Sequence, residues 1–297
     1  MTMIQKDKAE LFRSLHTGGS VLRLPNAWDV ASALLVEEAG AAAIATTSAG
    51  VAWSLGAADG DRLDRDRAID LIARVAAAVE LPVSADIESG FSDDSDGVGE
   101  TIAGVLAAGA VGVNLEDSVQ GGPEPLRPVA EQAERVAAAR RAADSAGIPL
   151  YVNARVDTYL RGGDPATRLP EALARAEAYL AAGADGIFVP GVVDPATIAE
   201  LVKGVPAPLN VLAGHGAPSI DELAGLGVAR VSVGSSIASV AYAAVRRSAH
   251  ELLTGGTYDS LADRIPHPEL NALFRASGRA PAARGATRSG VSGGAGL

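Results

Sequence analysis

Cysteine is absent from this chain of 297 residues. Its absence excludes disulfides, thiolate metal sites and a cysteine nucleophile. Aromatic side chains make up only 4% of the residues, so Ala, Val, Leu and Gly must do the packing, which suits a regular fold with many short turns. No run of eighteen uncharged apolar residues occurs, and no membrane span or membrane partner is expected. The opening MTMIQKDKAELF lacks the apolar segment of a secretory signal, so a cytoplasmic protein is the expectation. Positive charge is scarce as well: 25 Lys and Arg face 36 Asp and Glu, a net charge of −11. Nucleic-acid binding needs basic surface to replace counterions and is not expected. A small anion remains accessible, because one metal ion or one arginine is enough to hold it.

What is present is 48% hydrophobic sequence with 34 glycines. The composition is incompatible with general disorder, and the length allows one large domain or two ordinary ones. One phrase recurs: EEAGAAAIATT (37–47), LAAGAVGVNLED (106–117), LAAGADGIFVPG (180–191) and LAGLGVARVSVG (223–234). Each reads as a helix end, a glycine suited to the left-handed position beyond it, and an apolar strand without alternation, as in a parallel sheet covered on both faces. Further strand-like runs lie at 21–25, 82–88, 149–156 and 208–213, which makes eight. Helical patterns separate them, with starts expected at Asp194-Pro195 and Ser219. The alternation predicts a (β/α)8 barrel of the TIM type over residues 1–256. A doubly wound open sheet competes, but no GxGxxG follows the first strand and no P-loop occurs. Residues 257–277 read as a further helical segment, and 278–297, GRAPAARGATRSGVSGGAGL, as a disordered tail.

In such a barrel the active site lies at the C-terminal ends of the strands. The second strand ends in Thr46, Thr47 and Ser48, and its loop carries Asp59. The third ends in PVSADIESG, with Asp86 and Glu88 expected on one side by alternation. The fourth gives Asn114, Glu116 and Asp117, the fifth Asn153, Arg155 and Asp157, and the seventh Asn210. The sixth ends FVPG and is bland. Carboxylates gathered at one face would repel one another and bind protons more tightly. A hard cation removes that difficulty, and Mg2+ takes one or two carboxylates directly while keeping several waters; Mn2+ would serve as well. None of the four histidines (16, 215, 250 and 267) falls in an acidic strand end, which argues against zinc. Taken singly, Asp29, Asp117 and Asp157 are as well explained as helix caps or loop acids. Arg155 has a structural ion pair as its rival reading, and His215 reads as a loop residue.

The segments LPNAWDVASALLVEEAGAAAIATTSAG, LGAADGD, SADIESGF, GVNLEDS, NARVDTYLRG and LAAGADGIFVPG together resemble the isocitrate lyase/phosphoenolpyruvate mutase superfamily, in order from about residue 20 to 250. The resemblance implies a modified barrel that binds Mg2+ and a 2-oxo or 2-hydroxy carboxylate. It implies that Asp86 is the direct metal ligand and that Asp59, Glu88 and Glu116 hold metal-bound waters. Arg155 then binds the substrate's carboxylate or enolate oxygen, and Thr47 and Ser48 hold the carboxylate. Asn153 and Asn210 join the expected substrate-binding set, and Glu116 joins Arg155 as a catalytic residue. The superfamily usually has Asp where Glu88 stands. Its lyases carry a cysteine-bearing loop after the fourth strand, where this chain has EDSVQGGPEPLRP, without Cys, His or Lys. What the resemblance leaves is a carbon–carbon lyase or decarboxylase, with a phosphorus–carbon bond enzyme and an idle dicarboxylate-binding barrel as rivals. Loop 118–128 is the expected lid. The superfamily also implies a homodimer or homotetramer, with residues 257–277 exchanged between subunits.

Overall fold

The computed structural model describes residues 3–121, 124–162 and 164–276. Its strands are β1 (Leu22–Leu24), β2 (Asn26–Ala27), β3 (Ile44–Thr46), β4 (Val83–Asp86), β5 (Gly112–Glu116), β6 (Tyr151–Arg155), β7 (Gly186–Val189), β8 (Leu209–Leu212) and β9 (Arg230–Ser232). All pair in parallel, in the order β1-β9-β8-β7-β6-β5-β4-β3-β2. β1 and β2 are one stave interrupted at Pro25, which has no N–H for the ladder. The barrel therefore closes with eight staves, as the sequence predicts.

The helices are α1 (Gln5–Ser14), α2 (Val30–Glu38), α3 (Ser48–Ser54), α4 (Arg65–Ala78), α5 (Ser95–Ala107), α6 (Val129–Ala146), α7 (Thr158–Arg161), α8 (Arg168–Ala181), α9 (Pro195–Gly204), α10 (Ile220–Gly225), α11 (Ser236–Thr254) and α12 (His267–Ala276). No described helix is long and apolar enough to cross a membrane. The glycines of the recurring phrase, Gly40, Gly109, Gly183 and Gly227, all take the left-handed conformation just past a helix. The expected starts hold too: Asp194 caps α9 with Pro195 in its first turn, and Ser219 forms a capping box with Glu222. Beyond α11 the chain makes a short turn at Asp259–Leu261 and then α12. The expected tail 278–297 lies outside the described residues.

Helices α1, α3 and α7 were not foreseen in the sequence. α1 places Phe12 and His16 against the closed end of the barrel, where His16 stacks on Tyr151 at 3.8 Å. Gly112 admits this plug, since a Cβ there would come within 2.6 Å of the Phe12 ring. His16 Nδ1 donates to the Phe12 carbonyl at 2.8 Å. Burial, helped by the Arg230 charge, pushes the imidazole down to about 3. A base depressed from its unfolded value of 6.5 contributes stability above pH 6.5 and loses it as the pH falls toward 3. The stability gap between wild type and His16→Leu, measured by urea unfolding at pH 7, 5.5 and 4.5, should therefore shrink with acid, by at most about 1.4 kcal/mol per pH unit. A gap that stays constant would show that the imidazole is not held neutral.

Candidate active site

A cavity of about 130 Å3 opens at the C-terminal ends of the strands. Thr47, Ser48, Asp59, Asp86, Asn114 and Arg155 supply one part of its wall. Leu160, Phe188, Pro190 and Leu212 supply an apolar part, so the bland sixth strand end does shape the site.

Asp86 ends β4. Its Oδ2 accepts the Ser48 N–H at 3.2 Å, and its own N–H donates to Thr46 Oγ1 at 2.9 Å. Its Oδ1 is buried without a hydrogen-bond partner. Burial raises this carboxyl, Arg155 opposes the rise and Asp59 adds to it.

Glu88 reaches the same neighbourhood by an unexpected route. Strand alternation does not carry it there, because β4 stops at Asp86 and Glu88 has φ of 50°. A left-handed glutamate is uncommon. The other described non-glycine residues with positive φ, Asp61 and Phe91, lie close by, and the Glu88 carboxylate accepts the Asp61 N–H. Such conformations cost roughly 1–3 kcal/mol each and gather where a site over-determines the backbone. Burial pushes Glu88 up to about 8, with the carboxylates of Asp61, Asp86 and Asp59 adding to it.

Glu116 ends β5 and is paired with Arg155 Nη1 at 2.6 Å, while Ser118 Oγ donates to its other oxygen. Burial pushes this carboxyl up as well. Arg155 is held from a second side by Asp157, through Nε at 2.7 Å and Nη2 at 2.9 Å. Burial works against its charge, but Glu116, Asp157 and Asp86 keep it firmly protonated. Both readings of Arg155 therefore apply: it is ion-paired and it lines the cavity. Asp157 owes its place to Asp117, whose Oδ1 accepts the Asp157 N–H at 2.9 Å. Asp117 is fully buried and also accepts from Tyr179 at 2.8 Å and Arg175 at 3.1 Å.

Asp59, Asp86, Arg155, Thr47 and Ser48 thus border one cavity, with Glu88 and Glu116 beside it. Asn153 and Asn210 do not border it. Residues two apart on a strand share a face but are separated by about 6.6 Å, so Asn153 lies a layer below Arg155, bonded to Asn114 at 2.9 Å and Asn210 at 3.1 Å. Asp29 caps α2, and His215 is exposed on a loop. The pairing of Ser118 with Glu116 left no periodic trace in the sequence, nor did the apolar wall.

The loop expected to be a lid is a hairpin where it is described. Val119 N–H donates to the Pro125 carbonyl at 2.9 Å, and Arg127 N–H to the Asp117 carbonyl at 2.8 Å. Gln120 lies against Gly60. Gly122 and Pro123 fall outside the described residues.

The donor set suits a hard divalent cation. Asp86 lines the cavity and keeps one buried oxygen unbonded, with further carboxylates near it. Among the described residues no three His, Asp or Glu side chains are grouped to bind a metal directly.

The family model for phosphoenolpyruvate phosphomutase matches residues 12–253. The chain belongs to that family. It is 30% identical to 2-methylisocitrate lyase of Bacillus subtilis, over 69% of this chain and 67% of the lyase. A solved Burkholderia cenocepacia structure, assigned only provisionally as a lyase or mutase, is 42% identical with a TM-score of 0.85, covering 91% of this chain and 96% of that one. A phosphonopyruvate hydrolase solved with oxalate and Mg2+ is 25% identical with a TM-score of 0.80, covering 93% and 96%. The phosphoenolpyruvate phosphomutase family and its superfamily comprise Mg2+-dependent lyases, decarboxylases and phosphonomutases.

Proposed function

We propose that this family member is a Mg2+-dependent lyase that breaks a carbon–carbon bond, decarboxylation included, in a small 2-oxo or 2-hydroxy carboxylate. The observation that carries the reading is that Asp86, with one buried oxygen left unbonded, and Arg155 line the same small cavity. Asp86 would hold the metal directly, with Asp59, Glu88 and Glu116 around it. Bound there, Mg2+ would polarise the carboxylate and C2 oxygens of a chelating 2-oxo acid.

The chain's own residues supply the rest. A guanidinium has five N–H donors, and the three pairings of Arg155 leave two for a ligand oxygen. Cleavage at C3 sends electrons toward C2, and a fixed cation there favours the transition state over the ground state. Asp157 and Glu116 keep the guanidinium in place before any ligand arrives. Glu116 is the residue assigned to hold or return a proton, with the Ser118 hydroxyl against its carboxyl. Thr47 and Ser48, at the start of α3, would receive the ligand's carboxylate.

The lining favours carbon chemistry over phosphorus. Arg155 is the single cationic side chain bordering the cavity among the described residues, and the wall of Leu160, Phe188, Pro190 and Leu212 offers no donor to a phosphonate dianion. A volume of about 130 Å3 also suits an acid of few carbons. The phosphorus–carbon reading keeps support from the family model and the phosphonopyruvate hydrolase likeness.

Proton NMR of a panel of small 2-oxo and 2-hydroxy acids with Mg2+ should show cleavage or loss of CO2 for at least one of them. ³¹P NMR of phosphonopyruvate should show no change; a shifted or released phosphate signal would transfer the assignment to the phosphorus–carbon class. Ligands that raise the melting temperature without any turnover would leave a binding protein.

A further inference from the structure

Beneath the cavity, Arg230 enters the barrel interior from β9, with 1% of its surface exposed. A guanidinium donates hydrogen bonds and cannot accept them. Its Nη2 donates to Asn114 Oδ1 at 3.2 Å, and Asn153 Nδ2 donates to the same oxygen at 2.9 Å. Arg230 therefore dictates the amide orientation by chemistry, whatever the appearance of the two amide atoms. The oxygen of Asn114 must face inward, and its NH2 is left for the cavity that Asn114 lines.

The constraint propagates. The Nδ2 of Asn153 also donates to Asn210 Oδ1 at 3.1 Å. That turns the Asn210 amide nitrogen toward the Val211 carbonyl at 2.9 Å and the Arg230 carbonyl and Ser232 Oγ, both at 3.2 Å. Ser232 borders the cavity and accepts at its oxygen, so its O–H is free to donate into the cavity. One acceptor-free side chain thus sets three amides and leaves two donors facing the ligand.

We propose that Arg230 is a positioning residue which, through Asn114, Asn153 and Asn210, fixes Asn114 Nδ2 and Ser232 Oγ as donors to a carboxylate oxygen of the ligand, so that the cavity selects carboxylate over carboxamide at that place. The inference rests on the reading of the cavity as a Mg2+–carboxylate site. Asn114 is then a specificity-determining residue, and the expected substrate-binding role of Asn153 and Asn210 becomes support for it from below.

Oxalate and oxamate, which differ by one carboxylate replaced with a carboxamide, are the probes. Both are titrated calorimetrically into the full chain with Mg2+. Wild type should bind oxalate more tightly than oxamate. Asn114→Asp keeps Arg230 paired but turns a donor into an acceptor. It should lose about tenfold or more in oxalate affinity and narrow the preference over oxamate. Arg230→Gln, which can both donate and accept, should relax the preference, and Arg230→Lys, which cannot accept, should restore it. Because loss of a buried guanidinium can unfold the chain, Asn114→Asp carries the test if the Arg230 variants do not fold. A wild type that binds oxalate alongside an Asn114→Asp variant that binds it equally well overturns this inference alone. A wild type indifferent to oxalate in Mg2+ overturns the reading of the cavity and this inference with it.

Discussion

Asp86→Ala should abolish the Mg2+-dependent stabilisation of the protein by oxalate. A ligand present at a hundred times its dissociation constant stabilises the folded state by about 2.7 kcal/mol, and the variant should show none of it. The Asp86 Oδ1 atom is buried and has no hydrogen-bond partner, and Asp86 lines the cavity. Removing the carboxylate also removes a like charge from beside Glu88 and Glu116. It also strips the Ser48 N–H and Arg155 of a partner, so the metal-free variant should melt close to metal-free wild type. Thermal denaturation with EDTA, with Mg2+ and with Mg2+ plus oxalate separates the two effects. Oxalate stabilisation that survives in the variant would remove Asp86 from the site, and a collapse of the metal-free fold would make its role structural.

Arg175→Met should cost the fold about 3–5 kcal/mol, the usual consequence of stripping the partner from a buried charge. That is a large share of a typical domain's 5–15 kcal/mol. Asp117 has no solvent exposure, and burial already raises its carboxyl against the pull of the Asp157 N–H and Arg175. Arg175 Nη1 also donates to the Arg127 carbonyl at 2.9 Å, at the foot of the hairpin. Exchanging both charges, as Asp117→Leu with Arg175→Met, should recover part of the loss, because the unpaired charge rather than the missing contact dominates. Urea unfolding of the two variants tests this. A single variant within about 1 kcal/mol of wild type would mean that Tyr179 and the backbone satisfy Asp117 unaided.

The barrel was legible because its signals are local. A helix end, a left-handed glycine and an apolar strand fit within about a dozen residues, and Gly40, Gly109, Gly183 and Gly227 repeat them. Asp86 was legible for the same reason, as an acid at the end of a buried run. Glu88 was placed near it by an argument that fails. The strand stops two residues earlier, and a left-handed turn does the work. No propensity marks a glutamate for that conformation, since it arises from contacts with Asp61 across a gap of 27 residues. The Asn114–Asn153–Asn210–Arg230 layer escaped in another way: each residue was visible, but depth along the barrel axis depends on stagger between strands. α1 was not legible because its buried apolar positions, Ala9 and Phe12, are too few to mark a face.

The base of the hairpin, at Asp117 and Arg127, and the arginine at the end of β6 are fastened to one point. Asp117 binds the Asp157 amide with its side chain and receives the Arg127 N–H on its carbonyl. One aspartate is consequently the keystone of two neighbouring elements, and a substitution there would be felt at the hairpin's foot and, through Asp157, at the Arg155 guanidinium.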